Sequence, residues 1–564
     1  MRFSRDCSSH QVGEVLRSNR RGATMRVIPK PPVLFCAAVL AFAGDLCAVA
    51  TEPERPPNII VFLADDLGYA DIGVNGCTDI PTPHIDSLAT HGVRFTDGYA
   101  THTVCSPSRA GLLSGMYQHR FGFEHNSGPE RYAAENFGLP REIPTLAEKL
   151  QAAGYATCMV GKWHIGFREG LRPHERGFDY HYGFLSGARS YYPDNPREND
   201  PIVRNGQRVP DEKEYLTDAF AREAVDFVAR NRKPGGPSRP FFVYFAFNAV
   251  HAPLEATRQY EARFSHISDP QRKTYAGMLS ALDDAVGRVI TKVRELGEEE
   301  NTLVFFYSDN GGPTTQTTSR NDPLRGYKGQ MFEGGIRVPF VMQWKGVIPA
   351  GQVYREMIMG FDYHATALAA AGVDVPADKP LDGVNLLPFL TGQRSDRPHE
   401  ALFWRAGAKH AARVGDWKLV VERGGGPQLF HLRDDIGEQH DLAQSNPARL
   451  RELQAAFAEW EQGTVPAKWV RQDARNAGIG GTRKPEAARP SPRRGAAADA
   501  RISEVFRAAD KNGDGKLSRD EYPQPRAFAD VDANGDGFAT LEEVRAYVAR
   551  RRDRAKSNPS EIDR

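Results

Sequence analysis

Asn58-Ile59-Ile60-Val61-Phe62-Leu63-Ala64-Asp65-Asp66 is a short apolar run that ends on two adjacent carboxylates. Five consecutive large apolar residues, Ile59 to Leu63, read as a strand buried on both faces. Tyr155–Val160, Phe241–Phe247 and Leu303–Tyr307 read as further strands of the same kind. Between them, Pro144 to Ala153 reads as a helix opened by proline with Gly154 at its end, and Thr274 to Leu296 has helical spacing. Strand–helix alternation of this kind, from about 57 to about 375, predicts an α/β fold: a mostly parallel sheet with helices on both faces.

The texture changes beyond residue 375. Trp417–Val421, the turn Gly424-Gly425-Gly426-Pro427 and Gln428–Leu432 predict an antiparallel hairpin, and Leu450 to Trp460 a helix. Residues 376–473 therefore form a smaller α+β subdomain behind a main domain at 51–375. Residues 474–498 carry Pro, Ala, Gly and Arg with almost no large apolar side chains, the composition of a flexible linker. A compact acidic module follows at 499–552, and a polar tail at 553–564. A chain of 564 residues exceeds what one small core holds, in keeping with several units.

Hydrophobic residues at 40% and charged ones at 26% describe an ordinary globular protein, and a formal net charge of +1 gives no reason to expect a nucleic acid or anionic lipid partner. Residues 1–50 read as a leader. An apolar run from Val33 to Ala43 follows Arg26 and Lys30 and precedes Ala48-Val49-Ala50, the pattern of a signal peptide cleaved after Ala50. The basic, polar stretch before it points to Met25 as the true start. The run is too short to span a bilayer, so an exported protein with no stable membrane insertion after cleavage is expected, periplasmic or extracellular. Of six cysteines, Cys7, Cys36 and Cys47 lie in the leader, leaving Cys77, Cys105 and Cys158, too few for a disulfide framework. Whether Cys77 and Cys158 pair is open at this level.

Polar residues gather beyond the C-terminal ends of the strands, where open α/β sheets place their ligand sites. Asp65-Asp66 follow the first strand and Asp309-Asn310 the strand Leu303–Tyr307. Carboxylates held together at the end of a buried strand are costly unless a cation neutralises them, and an all-oxygen set suits Ca²⁺ or Mg²⁺ rather than Zn²⁺. In Cys105-Ser106-Pro107-Ser108-Arg109, proline near a helix start puts Cys105 at the N-terminus of a short helix, where anions are favoured. Arg109, one turn on, adds a forked donor for a tetrahedral oxyanion. Read bare, this is an anion site beside a reactive thiol.

Cys105 to Gly115 resembles the signature Cys-x-Pro-Ser-Arg-x-x-Leu-x-Ser/Thr-Gly of type I sulfatases, in the alkaline phosphatase-like superfamily. The resemblance runs from about Pro57 to Leu442 and includes Asn58–Gly68, Gly161–Gly166, His251-Ala252-Pro253, Tyr307–Gly312, Lys328–Pro339 and the hairpin ending at Phe430-His431-Leu432. It implies that Cys105 is oxidised to formylglycine by a formylglycine-generating enzyme, and that Asp65, Asp66, Asp309, Asn310 and residue 105 hold one divalent cation. It further implies that Arg109 binds formylglycine, that Lys162 and Lys328 bridge to the sulfate, that His164 serves the formylglycine diol and that His251 faces the leaving-group oxygen. Ser186 matches a family hydroxyl less securely. The expected reaction is hydrolysis of a sulfate ester, the substrate a sulfated small molecule or polysaccharide. Two other readings stay open: a phosphonate or phosphate monoester hydrolase on the same scaffold, and a non-catalytic calcium-binding adhesion protein. The loops Phe123 to Arg141 and Ser186 to Val209 are the places to look for substrate choice. The second carries Arg189, Tyr191, Tyr192, Arg197 and Arg204, a mix able to hold an anionic sugar or simply a solvated loop.

The acidic module holds two twelve-residue loops of EF-hand type. Asp510, Asn512, Asp514, Ser518 and Glu521 place oxygens at positions 1, 3, 5, 9 and 12, and Lys516 offers its carbonyl at 7. Asp532, Asn534, Asp536, Phe538, Thr540 and Glu543 repeat the pattern. Helical sequence at Ile502–Ala508 and Leu541–Val548 flanks them, so a paired EF-hand binding Ca²⁺ is expected, with a stabilising or tethering role.

Overall fold

Alternate residues of one strand enter two different cores. In the strand Asn58–Ala64, Ile60, Phe62 and Ala64 join one apolar cluster, and Ile59, Val61 and Leu63 join another. A central strand with both faces buried needs an element on each side. Helices Leu216–Asn231 and Pro270–Glu295 pack on the first face, and helices Cys105–Ser114, Leu146–Ala152 and Asp362–Ala370 contribute to the second. The computed structural model describes residues 55–128, 136–195, 200–232, 239–378, 381–469, 506–507, 509–522 and 528–557. The leader with Met25, the linker at 474–498, Arg197 and the last residues of the tail lie outside these, as do parts of the 123–141 loop and of the Ile502–Ala508 segment.

Among the described residues the main sheet has ten strands. Across it run Gln352–Tyr354, Val93–Phe95, Phe340–Gln343, Thr302–Ser308, Asn58–Ala64, Phe241–Ala246, Ala156–Lys162, Tyr180–Phe184, Val203–Arg204 and Gln207–Arg208. Asn58–Ala64 pairs in parallel with both Thr302–Ser308 and Phe241–Ala246, and Ala156–Lys162 continues the parallel order. Phe340–Gln343 and the pair at 203–208 are antiparallel additions that the sequence pattern did not signal.

Boundaries shifted where capping chemistry overrode periodicity. The helix expected from Pro144 spans Leu146–Ala152, because Thr145 and Glu148 form a reciprocal capping box that starts it two residues later. The helix expected from Thr274 begins at Pro270, where the Asp269 side chain accepts from the Arg272 amide. The hairpin Trp417–Val421 and Gln428–His431 belongs to a four-stranded antiparallel sheet with Ala401–Ala406 and Lys409–Val414, covered by helix Pro447–Gln462. Near the C-terminus, Lys516–Ser518 pairs antiparallel with Phe538–Thr540, and Phe506, Leu517, Phe528, Val531 and Ala539 share a small apolar core. Among the described residues no helix is long and apolar enough to cross a membrane, and Cys77, Cys105 and Cys158 are all free thiols.

Candidate active site

Parallel pairing of Ala64 with Ser308 brings two strand exits side by side, so that Asp65-Asp66 and Asp309-Asn310 leave the sheet together. Asp66 turns the chain with a left-handed φ of 62°. Its amide donates to Asp309 Oδ1 at 3.3 Å, and the Asn310 amide group donates to Asp66 Oδ1 at 2.7 Å. These four residues are essentially inaccessible to solvent.

Three cations face the three carboxylates. Arg109 sends two N–H groups to Asp309 Oδ2, at 2.9 and 2.7 Å, and a third to the Lys162 carbonyl at 2.9 Å. Its guanidinium, fully buried, is committed to a carboxylate rather than open to a tetrahedral oxyanion, which corrects the bare sequence reading. Lys162, the last residue of its strand, places Nζ 2.6 Å from Asp65 Oδ2. Lys328 reaches in from a loop, with Nζ 2.8 Å from Asp66 Oδ2 and 3.3 Å from Cys105 Sγ. Burial pushes Asp309 up to about 6, reinforced by the charge of Asp65 and opposed by Arg109. Burial acts on Asp66 in the same sense, but Lys328, His251 and Lys162 outweigh it and hold that carboxyl below its usual range.

Cys105 opens the helix Cys105–Ser114, all of it buried, and Gly115 closes it with φ 76°. Burial pushes the Cys105 thiol up to about 12 despite Lys162 and Lys328, so an unmodified cysteine here is a neutral thiol at physiological pH. The next amide, Ser106 N–H, is taken by Asn126 Oδ1 at 3.1 Å. Neither fact suits a reactive thiolate over an open anion site.

His251 lies with Nε2 3.5 Å from Asp66 Oδ2, and its Nδ1 is 2.6 Å from the Ala252 carbonyl. His164 has a left-handed φ of 61°; its carbonyl accepts the hydroxyls of Ser106 and Ser127, and Gly187 sits against its ring. Ser186 stands apart: its hydroxyl donates to the Ala188 carbonyl at 3.0 Å. The expected sugar-holding residues of that loop are also otherwise engaged. Arg189 bonds the carbonyls of Ser190 and Asp200, Tyr192 that of Ala256, and Arg204 the Glu223 carboxylate. The Tyr191 hydroxyl lies 2.5 Å from the Asn248 carbonyl and 2.8 Å from that of His251, bracing the histidine backbone. Asn126 and Ser127 carry no local signal for these roles, and the part Tyr191 plays is not the one its loop suggested, since each acts through a partner remote in the chain.

The donor set fits a hard divalent cation. Asp65 Oδ1 and Asn310 Oδ1 are buried acceptors with no hydrogen-bond partner among the described residues, a costly arrangement unless they face a ligand. Ligand atoms of Asp65, Asp66, Cys105 and His251 lie within 4.8 Å of one another.

Residues 57–373 match the model of the Sulfatase family, and 327–446 match that of the N-sulphoglucosamine sulphohydrolase C-terminal region. This chain belongs to the sulfatase family. It is a type I sulfatase of the alkaline phosphatase-like superfamily, and its activity is hydrolysis of sulfate esters. The sulfatase is 36% identical over 387 residues to N-acetylgalactosamine-6-sulfatase of Sus scrofa, covering 65% of this chain and 72% of that one. It is 33% identical over 513 residues to the uncharacterized sulfatase YdeN of Escherichia coli (strain K12), covering 75% and 88%. A crystal structure of Ps i-CgsB in complex with k-i-k-neocarrahexaose superposes with a TM-score of 0.71 at 35% identity, over 75% of this sulfatase and 96% of that chain.

Residues 502–522 match an EF-hand model. Asp510 accepts the amides of Gly513 and Gly515, and Asp532 those of Gly535 and Gly537, all four glycines having positive φ. Glu521 accepts from Ser518, and Glu543 from Thr540. The second loop thus repeats the first in geometry as well as in sequence.

Proposed function

We propose that this sulfatase is exported and removes sulfate from a sulfated carbohydrate, with Cys105 matured to formylglycine and Ca²⁺ at the active site. The position of Lys328, within hydrogen-bonding reach of both Asp66 and the side chain of residue 105, carries the reading. It puts a cation where both an attacking atom on residue 105 and a sulfate oxygen need one. The carbohydrate class is supported by N-acetylgalactosamine-6-sulfatase and by the oligosaccharide complex of Ps i-CgsB. Export is supported by the leader pattern at residues 26–50.

Asp65, Asp66, Asp309, Asn310 and residue 105 would hold the ion, Ca²⁺ or Mg²⁺, which supplies charge neutralisation and polarises an oxygen nucleophile. Residue 105, matured to formylglycine, would supply that oxygen. Lys162 and Lys328 bind the sulfate oxygens and stabilise charge as the ester bond breaks. Arg109 keeps Asp309 ionised and, through the Lys162 carbonyl, fixes the strand end from which Lys162 projects. With His251 Nδ1 held at the Ala252 carbonyl, Nε2 is the atom left to hold the leaving-group proton. His164, whose Nδ1 has no hydrogen-bond partner among the described residues, would be the group that accepts a proton at residue 105. In the tail, Asp510, Asn512, Asp514, Lys516, Ser518 and Glu521 would hold one Ca²⁺, and Asp532, Asn534, Asp536, Phe538, Thr540 and Glu543 a second.

Mass spectrometry of the peptide containing residue 105, combined with turnover of an aryl sulfate against an aryl phosphonate, tests the reading. An aldehyde at 105 and preference for the sulfate are expected. An unmodified thiol in active native material, or preference for the phosphonate, would overturn it.

A further inference from the structure

Lys328 sits on a loop without helix or strand, residues 325–332, so its position depends on bonds the loop makes elsewhere. On the side of the main domain those bonds include Gly329 N–H to the Thr103 carbonyl at 2.9 Å, Lys328 N–H to the Gly312 carbonyl at 3.5 Å and the Asn321 amide group to the Gly326 carbonyl at 3.2 Å. The loop bonds to itself, Gln330 N–H to the Tyr327 carbonyl and Gly334 N–H to the Arg325 carbonyl, and the C-terminal subdomain adds two contacts at its tip. Lys409 Nζ donates to the Gly329 carbonyl, and the Glu422 carboxylate accepts the Met331 amide. Lys409 and Glu422 lie 3.9 Å apart, each about three-quarters buried at 24% exposure. The loop ends are pinned separately, by Arg325 to the Glu438 carbonyl at 2.6 Å and by the Glu333 amide to Glu438 Oε2 at 2.7 Å.

Gly329 is the joint. Its N–H goes to Thr103, two residues before Cys105, and its carbonyl goes to Lys409. A backbone φ of 87° lets one residue face both ways. The segment leading to Cys105, the Lys328 loop and the C-terminal sheet therefore meet at one residue.

We propose that Lys409 and Glu422 are positioning residues for Lys328, so that the C-terminal subdomain helps set the geometry of the active site. Because Glu438 pins the loop ends independently, loss of Lys409 releases the tip without unfolding the loop. This rests on the reading that Lys328 faces the sulfate.

The experiment is a double-mutant cycle in the full-length matured enzyme, with an aryl sulfate as substrate. K409M should lower kcat by roughly 10- to 100-fold, the scale for a misplaced catalytic group, with little change in melting temperature, and K409R should restore most of it. In a K328A background K409M should cost at most about 2- to 3-fold more, because the group it positions is already gone. Multiplying losses, or unchanged turnover in K409M, would overturn the proposal. So would a raised KM at constant kcat, which would put Lys409 on the substrate instead. If K409M does not fold, E422L carries the same cycle, with E422Q, which keeps an acceptor for the Met331 amide, as its conservative control. K328A at wild-type turnover would instead sink the underlying reading of Lys328, a distinguishable result.

Discussion

Two N–H groups of Arg109 converge on a single oxygen of Asp309, at 2.9 and 2.7 Å, with both side chains wholly removed from water. A buried pair of this kind is worth little against an apolar replacement but is expensive to break from one side. R109A strands Asp309 beside Asp65, and a loss of about 3–5 kcal/mol is expected. R109K should fail as well, since a point charge cannot reach Asp309 Oδ2 and the Lys162 carbonyl together. Chemical denaturation of the unmatured protein separates this from catalysis.

Lys162 and Lys328 neutralise different carboxylates, Asp65 and Asp66, and should contribute separately to turnover. Removing either should cut kcat/KM on an aryl sulfate by about 10²- to 10³-fold, the range for one donor facing a developing charge. Steady-state kinetics of K162A and K328A check this; a loss below tenfold in either would remove it from the sulfate-binding set.

Asp283 supplies a pH dependence far from this chemistry. Its carboxylate accepts the amides of His84 and Ile85 at the start of the helix Pro83–Thr90, and burial pushes its pKa to about 7. The folded value lies above the unfolded one, so the folded state binds more protons between about pH 4 and 7. The resulting stability is full below pH 4 and is lost as pH rises through 7. D283N keeps an acceptor and removes the titration, so its melting temperature should exceed wild type at pH 8 and the advantage should vanish at pH 4. Thermal scans across that range decide it, and parallel curves would refute the assignment.

Position 12 of each EF-hand loop is the bidentate ligand by type. E521Q and E543Q should each lose one equivalent of tightly bound Ca²⁺ in calorimetric titration of the full chain. Aryl sulfate turnover should stay at wild-type level in both, because the active-site donors are separate residues. A parallel fall in turnover would show that the module is coupled to the site.

The strand Asn58–Ala64 and its neighbours were legible because a strand buried on both faces writes an unbroken apolar run. Cys105 and the EF-hand glycines were legible for a similar reason: each belongs to a spacing contained within about a dozen residues. Short strands such as Phe340–Gln343 were not, since an antiparallel strand of four residues lacks a period long enough to read. Arg189, Tyr192 and Arg204 of the 186–209 loop read equally as sugar ligands or as a solvated loop, and only their hydrogen bonds show them engaged with the protein itself.

Residue 105 at a helix start, a carboxylate pair at a strand end and two calcium-type loops were thus determined by the sequence alone, because turn chemistry and periodicity act over one or two turns of chain. Tertiary structure alone decided which charge meets which. Arg109 and Asp309 are 200 positions apart, and Lys328 and Asp66 262. No local preference reaches that far; parallel strand register and loop packing bring the partners together. The Lys328 loop is the clearest case, since the side chains that hold its tip, Lys409 and Glu422, come from another sheet.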